Sequence, residues 1–390
     1  MTAQAWLYWS GTALTGLAMA YSLAAWLASR ARRSPRQSVT ATLPPATILP
    51  LATILPPVTI LKPLCGAERE LYDCLRSFCE QSYPRFQIVF GVREADDPAL
   101  GAVRRLQREF PGLDLQLAIN STQHGSSAKV SNLINMISLA RYDYLVVADS
   151  DVRVAPDYLA RVVPPLLDTA VGIVTCPYLA CPRRGTWSLL GSAFINDWFM
   201  PAVYVAALFG SRQFAFGATI GLRREVLARM GGFISIADQL ADDYRLGELT
   251  RRMGLHTVLS EVVVEMVVDE PRLADLVRHE VRWLRTIRAV RPLGYAFSFV
   301  TFGLAPAALG TVLAAGAWPT LAMLSVTAVA RLLIHCSARG VRSAVLQFWV
   351  VPLIDLLNFA LWCRGFLVRR VQWRHARYRI AHDGSAHAIP

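Results

Sequence analysis

Apolar residues gather at the two ends of the chain and form short runs between them. Residues 5–28 carry no charge and are long enough to cross a hydrocarbon layer of about 30 Å. Arg30, Arg32, Arg33 and Arg36 follow directly. That order predicts an N-terminal transmembrane anchor, residues 1–33, with the N-terminus outside and the chain entering the cytoplasm near residue 30. A cleaved secretory signal fits poorly, because the stretch is long and its basic residues come after it. Beyond residue 290 the chain turns apolar again over 293–317, 319–336 and 344–368. Arg331 interrupts the second stretch, and Pro352, Asp355 and Asn358 interrupt the third. Three full crossings would leave Arg369, Arg370, Arg374, Arg377 and Arg379 outside, against the positive-inside rule. The stretch 344–368 is therefore expected to be re-entrant or interfacial, within a C-terminal membrane region 291–370. The basic tail, 371–390, is then cytoplasmic.

Between these ends the periodicity changes. Short β-rich runs at Val58–Lys62, Phe86–Arg93, Asp114–Ile119, Tyr144–Asp149 and Gly172–Thr175 alternate with helical patterns over 68–80, 98–110 and 129–140. Such alternation predicts an α/β domain over 58–290, a mostly parallel, Rossmann-like sheet covered by helices. Ligands of such sheets bind beyond the carboxyl ends of the strands. Residues 40–60 repeat themselves as PATILP, LATILP and PVTILKP. Their proline density makes 34–57 a linker, with the last copy entering the first strand. The apolar, aromatic stretch 186–209 is interrupted by Asn196, Asp197 and Pro201. It fits a buried helix, or one facing the membrane or a lipid acceptor.

Composition narrows the class. Of 390 residues, 54% are hydrophobic and 17% charged, against about 25% charged in ordinary soluble domains. That argues against a purely soluble enzyme and against a disordered chain. The net charge of +12 clusters at 30–36, 278–291, 339–342 and 364–379, always beside membrane segments. It fits anionic lipid headgroups; no nucleic-acid module accompanies it. Lysine occurs only at Lys62 and Lys129, so 38 of the 40 basic residues are arginine. The two retained lysines become candidates for specific roles. Seven cysteines without a CxxC pair or zinc spacing read as reduced, mostly buried thiols.

Three acidic motifs stand out: Asp96–Asp97, Asp149-Ser150-Asp151 and Asp242–Asp243. The first two follow predicted strands. Two aspartates one residue apart at a strand end can both reach a divalent cation, Mg²⁺ or Mn²⁺, which prefers hard oxygen ligands and bridges to substrate phosphates. A solvated turn is the bland alternative. Asp242–Asp243 fall in a predicted helix over 238–253, where adjacent carboxylates point in different directions. One can face a cleft as a general base while the other pairs with arginine. In HEVRWLRTIRAVR, residues 279–291, Arg282 suits a diphosphate and Trp283 suits a membrane interface.

In this order the motifs resemble the ceramide glucosyltransferase family, members of the large family 2 glycosyltransferases, from ILKPLCG at 60–66 to WRHARYRI at 373–380. The resemblance implies a GT-A type nucleotide-sugar domain and an inverting enzyme that transfers one sugar from a UDP-sugar donor to a membrane-lipid acceptor. It implies Asp243 as the catalytic base and Asp149 with Asp151 at the metal–diphosphate. Lys62, Asp97, Lys129, Asp149, Arg282 and Trp283 would meet the donor; His279 and Trp283 would meet the acceptor. The family signature (Q/R)xxRW carries His279 at its first position here. Segments such as VREADDPALGAVRRL, KVSNLINM, ADSDVRV and RHEVRWLRTIRAVRPLGYAF are similar to the bacterial hopanoid-associated branch. That similarity implies N-acetylglucosamine transfer from UDP-GlcNAc to a bacteriohopanetetrol-type hopanoid at the bacterial inner membrane. Ceramide with UDP-glucose is the alternative pair; a processive polysaccharide synthase, which needs a secretion channel, is the other.

Overall fold

A computed structural model describes residues 2–33, 55–66, 68–211, 214–339, 343, 347–368, 370–373, 376–380 and 386–389. The expected linker falls largely outside them. The strands are β1 (Val58–Pro63), β2 (Phe86–Val92), β3 (Asp114–Ile119), β4 (Tyr144–Ala148), β5 (Val152–Arg153), β6 (Val171–Thr175), β7 (Tyr178–Pro182), β8 (Thr219–Arg223), β9 (His256–Leu259), β10 (Val264–Val268), β11 (Arg370–Trp373), β12 (Ala376–Ile380) and β13 (Ala386–Ile389). Helices of the α/β domain are α2 (Leu71–Cys79), α3 (Leu100–Glu109), α4 (Ala128–Met136), α5 (Tyr158–Val162), α6 (Thr186–Ala193), α7 (Met200–Leu208), α8 (Arg224–Arg229), α9 (Asp242–Arg252) and α10 (Leu273–Val290). They are flanked by α1 (Ala3–Arg33) before them and by α11 (Pro292–Phe297), α12 (Leu304–Leu313), α13 (Trp318–Arg339) and α14 (Val350–Leu367) after.

Seven strands form one sheet in the order β3-β2-β1-β4-β8-β6-β9. All six residues of β1 are buried, as an apolar run covered on both faces requires. The chain moves outward from β1 through β2 to β3, then returns to lay β4 on the other side of β1. That reversal leaves a crevice at the carboxyl ends of β1 and β4, where Asp149 begins. The sheet is mostly parallel, as expected, but β8 runs antiparallel to both β4 and β6. The sequence pattern missed β8, a five-residue strand that contains Gly221. It also missed β9, the tail strands β11–β13, and the small sheet β5-β10-β7 beside the main one. The tail is thus paired strand rather than only a basic extension. The predicted helix 129–140 ends at Met136 and tightens into a 3₁₀ turn at Ile137–Leu139.

Among the described residues, three helices are long and apolar enough to cross a membrane, α1, α13 and α14, or four if a bent pair counts as one span. The chain is a membrane protein. Within 344–368 the described residues form one helix, α14 (Val350–Leu367), and the segment that bends is α11–α12, turned by 77°. Pro352 lies in the first turn of α14, where a missing N–H leaves no bond unmade. The break comes at Gly303, in the left-handed region with φ +57°. A Cβ there would meet Arg331 Cδ at 2.7 Å and Asp355 Oδ2 at 2.9 Å. Asp355 Oδ2 accepts from the first free amide of α12, Leu304 N, at 3.0 Å, and pairs with Arg331 Nε at 2.9 Å. Arg331 also donates to the Asp197 carbonyl, and Asp197 carries His335 and Arg339 at 2.7 and 2.8 Å. Arg331, Asp355 and Asp197, the charged residues that interrupt the apolar stretches, therefore meet inside the bundle, as charges in lipid-facing helices must. Within 186–209, Phe194–Phe199 form a π-helical turn whose residues 194–198 are buried, while Leu208 and Phe209 at the end of α7 are exposed.

Candidate active site

The carboxyl ends of β1 and β4 open into a cavity of about 1180 Å³. That exceeds the roughly 300–1,000 Å³ of a single small-molecule site. Lys129, Asp149, Asp151, Asp242, Asp243, His279, Arg282 and Trp283 all line it, although they lie as far apart as positions 129 and 283.

The acidic end is organised by Lys129. Ser127 caps α4 by accepting from Val130 N at 3.3 Å, which sets Lys129 in the first turn. Its ammonium lies 2.7 Å from Asp149 Oδ1 and 3.2 Å from Asp242 Oδ2. Burial opposes its charge, but Asp149 and Asp242 outweigh that and push its pKa above the usual lysine range. Asp242 thus pairs with lysine; Arg245, the expected partner, instead meets Glu248. The helix starts at Asp242 rather than 238, so both carboxylates sit in its first turn, where the helix dipole favours them. Asp243 Oδ1 accepts from Tyr244 N at 2.7 Å. Its other oxygen faces Gly217, where a Cβ would lie 3.2 Å away. Burial, then the neighbouring Asp242 charge, pushes the Asp243 carboxyl up to about 7. Asp151 is pushed up to about 7 as well, by burial and by Asp149. Its Oδ1 is buried with no hydrogen-bond partner.

Lys62 and Asp97 stand outside the cavity lining, behind the crevice they were expected to enter. Lys62 is fully buried. Its ammonium lies 4.0 Å from the centre of the Phe78 ring and donates to the Asp149 carbonyl. Burial pushes its pKa down to about 8. It is placed to hold the β4 end, and with it the Asp149–Asp151 turn, rather than to touch a ligand. Lys62→Met would remove this charged donor and leave the carbonyl only the long bond from Val152 N at 3.4 Å, at a cost of about 1–3 kcal/mol. A lower thermal midpoint than wild type is the expected result, read by calorimetry. Asp97 Oδ1 accepts from Gly66 N and Ala99 N, each at 2.9 Å, tying the loop after β1 to the start of α3.

The other end of the cavity is aromatic and apolar. Trp283 packs edge-on against Phe199 and His279, with ring centres 5.3 and 5.5 Å apart. His279 Nδ1 lies 2.7 Å from Glu270 Oε1, which fixes the imidazole. Arg291 lies 5.0 Å from the Phe214 ring centre and donates through Nε to Tyr244 Oη at 3.1 Å. Sequence reasoning missed three lining residues. Tyr178 on β7 is buried and faces the carboxylates; burial and the charges of Asp243, Asp149 and Asp151 push its hydroxyl far above the usual tyrosine range. Asn132 donates to the Gly91 carbonyl at 2.8 Å and leaves its buried Oδ1 unpaired. Arg32 reaches the lining from the end of α1. No local pattern marks Tyr178; Asn132 lay one turn from Lys129 and was the visible clue. Among the described residues the cysteines form no disulfide, and Cys65 and Cys363 are exposed rather than buried.

A parallel α/β sheet with spaced aspartates at its switch point, and a helix carrying Arg–Trp beside membrane helices, defines a glycosyltransferase of the GT-A type. The chain belongs to glycosyl transferase family 21, which its residues 12–386 match. Among curated proteins it is 25% identical over 231 residues to ceramide glucosyltransferase 3 of Caenorhabditis elegans, covering 58% of this chain and 50% of that protein. It is 34% identical over 100 residues to the ceramide glucosyltransferase of Komagataella phaffii, covering 25% and 20%. The chain thus spans half or less of the length of these relatives. Among solved structures it is similar to the mannosyltransferase PcManGT of Pyrobaculum calidifontis, in complex with GDP-Man and Mn²⁺. The TM-score is 0.52 at 21% identity, covering 93% of this chain and 98% of that one.

Proposed function

We propose that the chain is an inverting enzyme that transfers one sugar from a UDP-sugar to a hydroxyl of a membrane lipid. The observation that carries this reading is one cavity with a carboxylate end and an apolar, aromatic end beside membrane helices. The acceptor oxygen attacks the anomeric carbon, the bond from that carbon to the diphosphate oxygen breaks, and the hydroxyl proton passes to Asp243. Arg282 adds positive charge beside the departing UDP, the kind of preorganised electrostatics that contributes most in such sites. Lys129 keeps Asp149 and Asp242 in place. His279 and Trp283 meet the acceptor.

Asp149 and Asp151 fit a divalent cation, Mg²⁺ or Mn²⁺. The unpartnered Asp151 oxygen is a hard ligand without a hydrogen bond to lose. Among the described residues no group of three or more metal-ligating side chains occurs. Two carboxylates completed by substrate phosphate and water are the habit of Mg²⁺. Such a cation, when bound, supplies neutralisation of the diphosphate charge.

Two donor–acceptor pairs fit this frame. UDP-glucose with ceramide is supported by the names of the curated relatives. UDP-GlcNAc with a bacteriohopanetetrol-type hopanoid is supported by the segments quoted above and by His279 in place of Gln or Arg. Comparing membrane lipids with and without the gene by mass spectrometry separates them: a hexosylceramide or a hexosamine-bearing hopanoid should be lost. An unchanged glycolipid profile would contradict both.

The orientation that fits has α1 crossing inward and the α/β domain cytoplasmic. Helix α12 runs antiparallel to α1, with Ala307 and Gly310 beside Thr15, and crosses out; α13 runs parallel to α1, with Met323 beside Gly16, and crosses back in. The end of α13 then meets Asp197 on the domain side, α14 lies re-entrant or interfacial on that side with its end against Arg288, and the tail stays cytoplasmic.

A base with a pKa of about 7 works only when deprotonated. The kcat/KM of the free enzyme should therefore fall as pH drops below about 7, tenfold per unit once the base is mostly protonated. It should level off above. A profile flat from pH 5 to 8 would contradict the assignment.

A further inference from the structure

The apolar end of the cavity is a groove with one small-residue wall. Ala202, Val203, Ala206 and Ala207 of α7 line it; positions four apart share a helix face. Ile287 and Val290 of α10 line it too. Alanines hold the walls apart where a protein interior would ordinarily be filled. The same helices carry large apolar side chains into the open. Leu208 and Phe209 at the end of α7 are 62% and 85% exposed, and Leu293 and Phe297 of α11 are 75% and 71% exposed. Exposed apolar patches mark docking or membrane surfaces. Helix α7 packs along α1, the first candidate span, so these side chains stand at the level of the bilayer.

We infer that the groove between α7 and α10–α11 is a lateral channel for the apolar body of the acceptor lipid. The inference rests on the proposed lipid acceptor and names where it lies. Leu208, Phe209, Leu293 and Phe297 seat the mouth among lipid tails. The acceptor slides in hydroxyl first, its polar end reaching the Asp243 end of the same cavity while its hydrocarbon stays between the alanine wall and Ile287–Val290. Ala206, at the middle of the small wall, limits the width of the hydrocarbon that passes.

Photocrosslinking tests this without requiring turnover. The full chain is reconstituted in phosphatidylcholine vesicles containing a ceramide with a diazirine in its acyl chain, and the labelled peptides are mapped by mass spectrometry. Label should concentrate in residues 202–209 and 287–297. Ala206→Trp should reduce it there about tenfold, the scale on which filling an apolar pocket discriminates. The exposed Phe209→Ser, which removes no buried contact, should reduce it at the mouth. Label spread evenly over lipid-facing positions such as Val326 and Val329, and unchanged in both variants, would overturn the channel. Groove labelling in a protein that releases no UDP from a UDP-sugar would keep the channel and overturn the transferase reading, so the two failures are distinct.

Discussion

Asp243→Asn should cut the turnover of sugar transfer by about 10²–10⁴-fold, the usual worth of a positioned general base. The change is nearly isosteric. The amide oxygen can still accept from Tyr244 N, and no cavity opens against Gly217. What disappears is a site for the acceptor proton at the moment oxygen attacks. The proposed donor contacts, Lys129, Arg282 and the Asp149–Asp151 turn, are left in place, so the loss should fall on kcat. Rates of UDP release at saturating donor and acceptor check this. A folded variant with near-normal turnover would remove Asp243 from the base role.

Asp355→Ala should carry the largest stability cost in the membrane region, about 3–5 kcal/mol. Arg331 and Asp355 are both almost fully buried. Removing the carboxylate strands a guanidinium and uncaps Leu304 N at the bend. The expected readout is a large drop in thermal midpoint in detergent, or loss of monodisperse protein. Replacing both partners with apolar residues, Arg331→Met with Asp355→Leu, should recover much of it, because no charge is then left unpaired. A single variant as stable as wild type would show that the pair does not hold the bend.

Much of this was legible in the sequence where the signal was local. The strand runs around β1–β4 and β6 lie within a residue or so of their expected limits, because continuous apolar runs report burial on two faces directly. The aspartate motifs were visible for a similar reason: unusual residues stand beyond strand ends or at a helix start, while the Arg282–Trp283 pair stood out within α10 by residue type alone. What failed depended on partners distant in sequence. Pro352 looked like a helix breaker until its place in a first turn was known. Gly303 looked ordinary until Arg331 and Asp355 closed around it. Lys62 stood out by its rarity, but its burial against Phe78 and its bond to the Asp149 carbonyl depend on partners distant in sequence. Tyr178 enters through a strand pairing, β7 with β10, that no periodicity announces.

The central claim is transfer of a single sugar to a membrane lipid. The most direct test supplies the purified full chain, in vesicles with Mg²⁺ or Mn²⁺, with ceramide and UDP-glucose in one series and bacteriohopanetetrol and UDP-GlcNAc in another. The products are weighed by mass spectrometry. The account predicts, in one series, a lipid heavier by one sugar residue and one UDP released per product. A polymer, or UDP release in neither series, would contradict it.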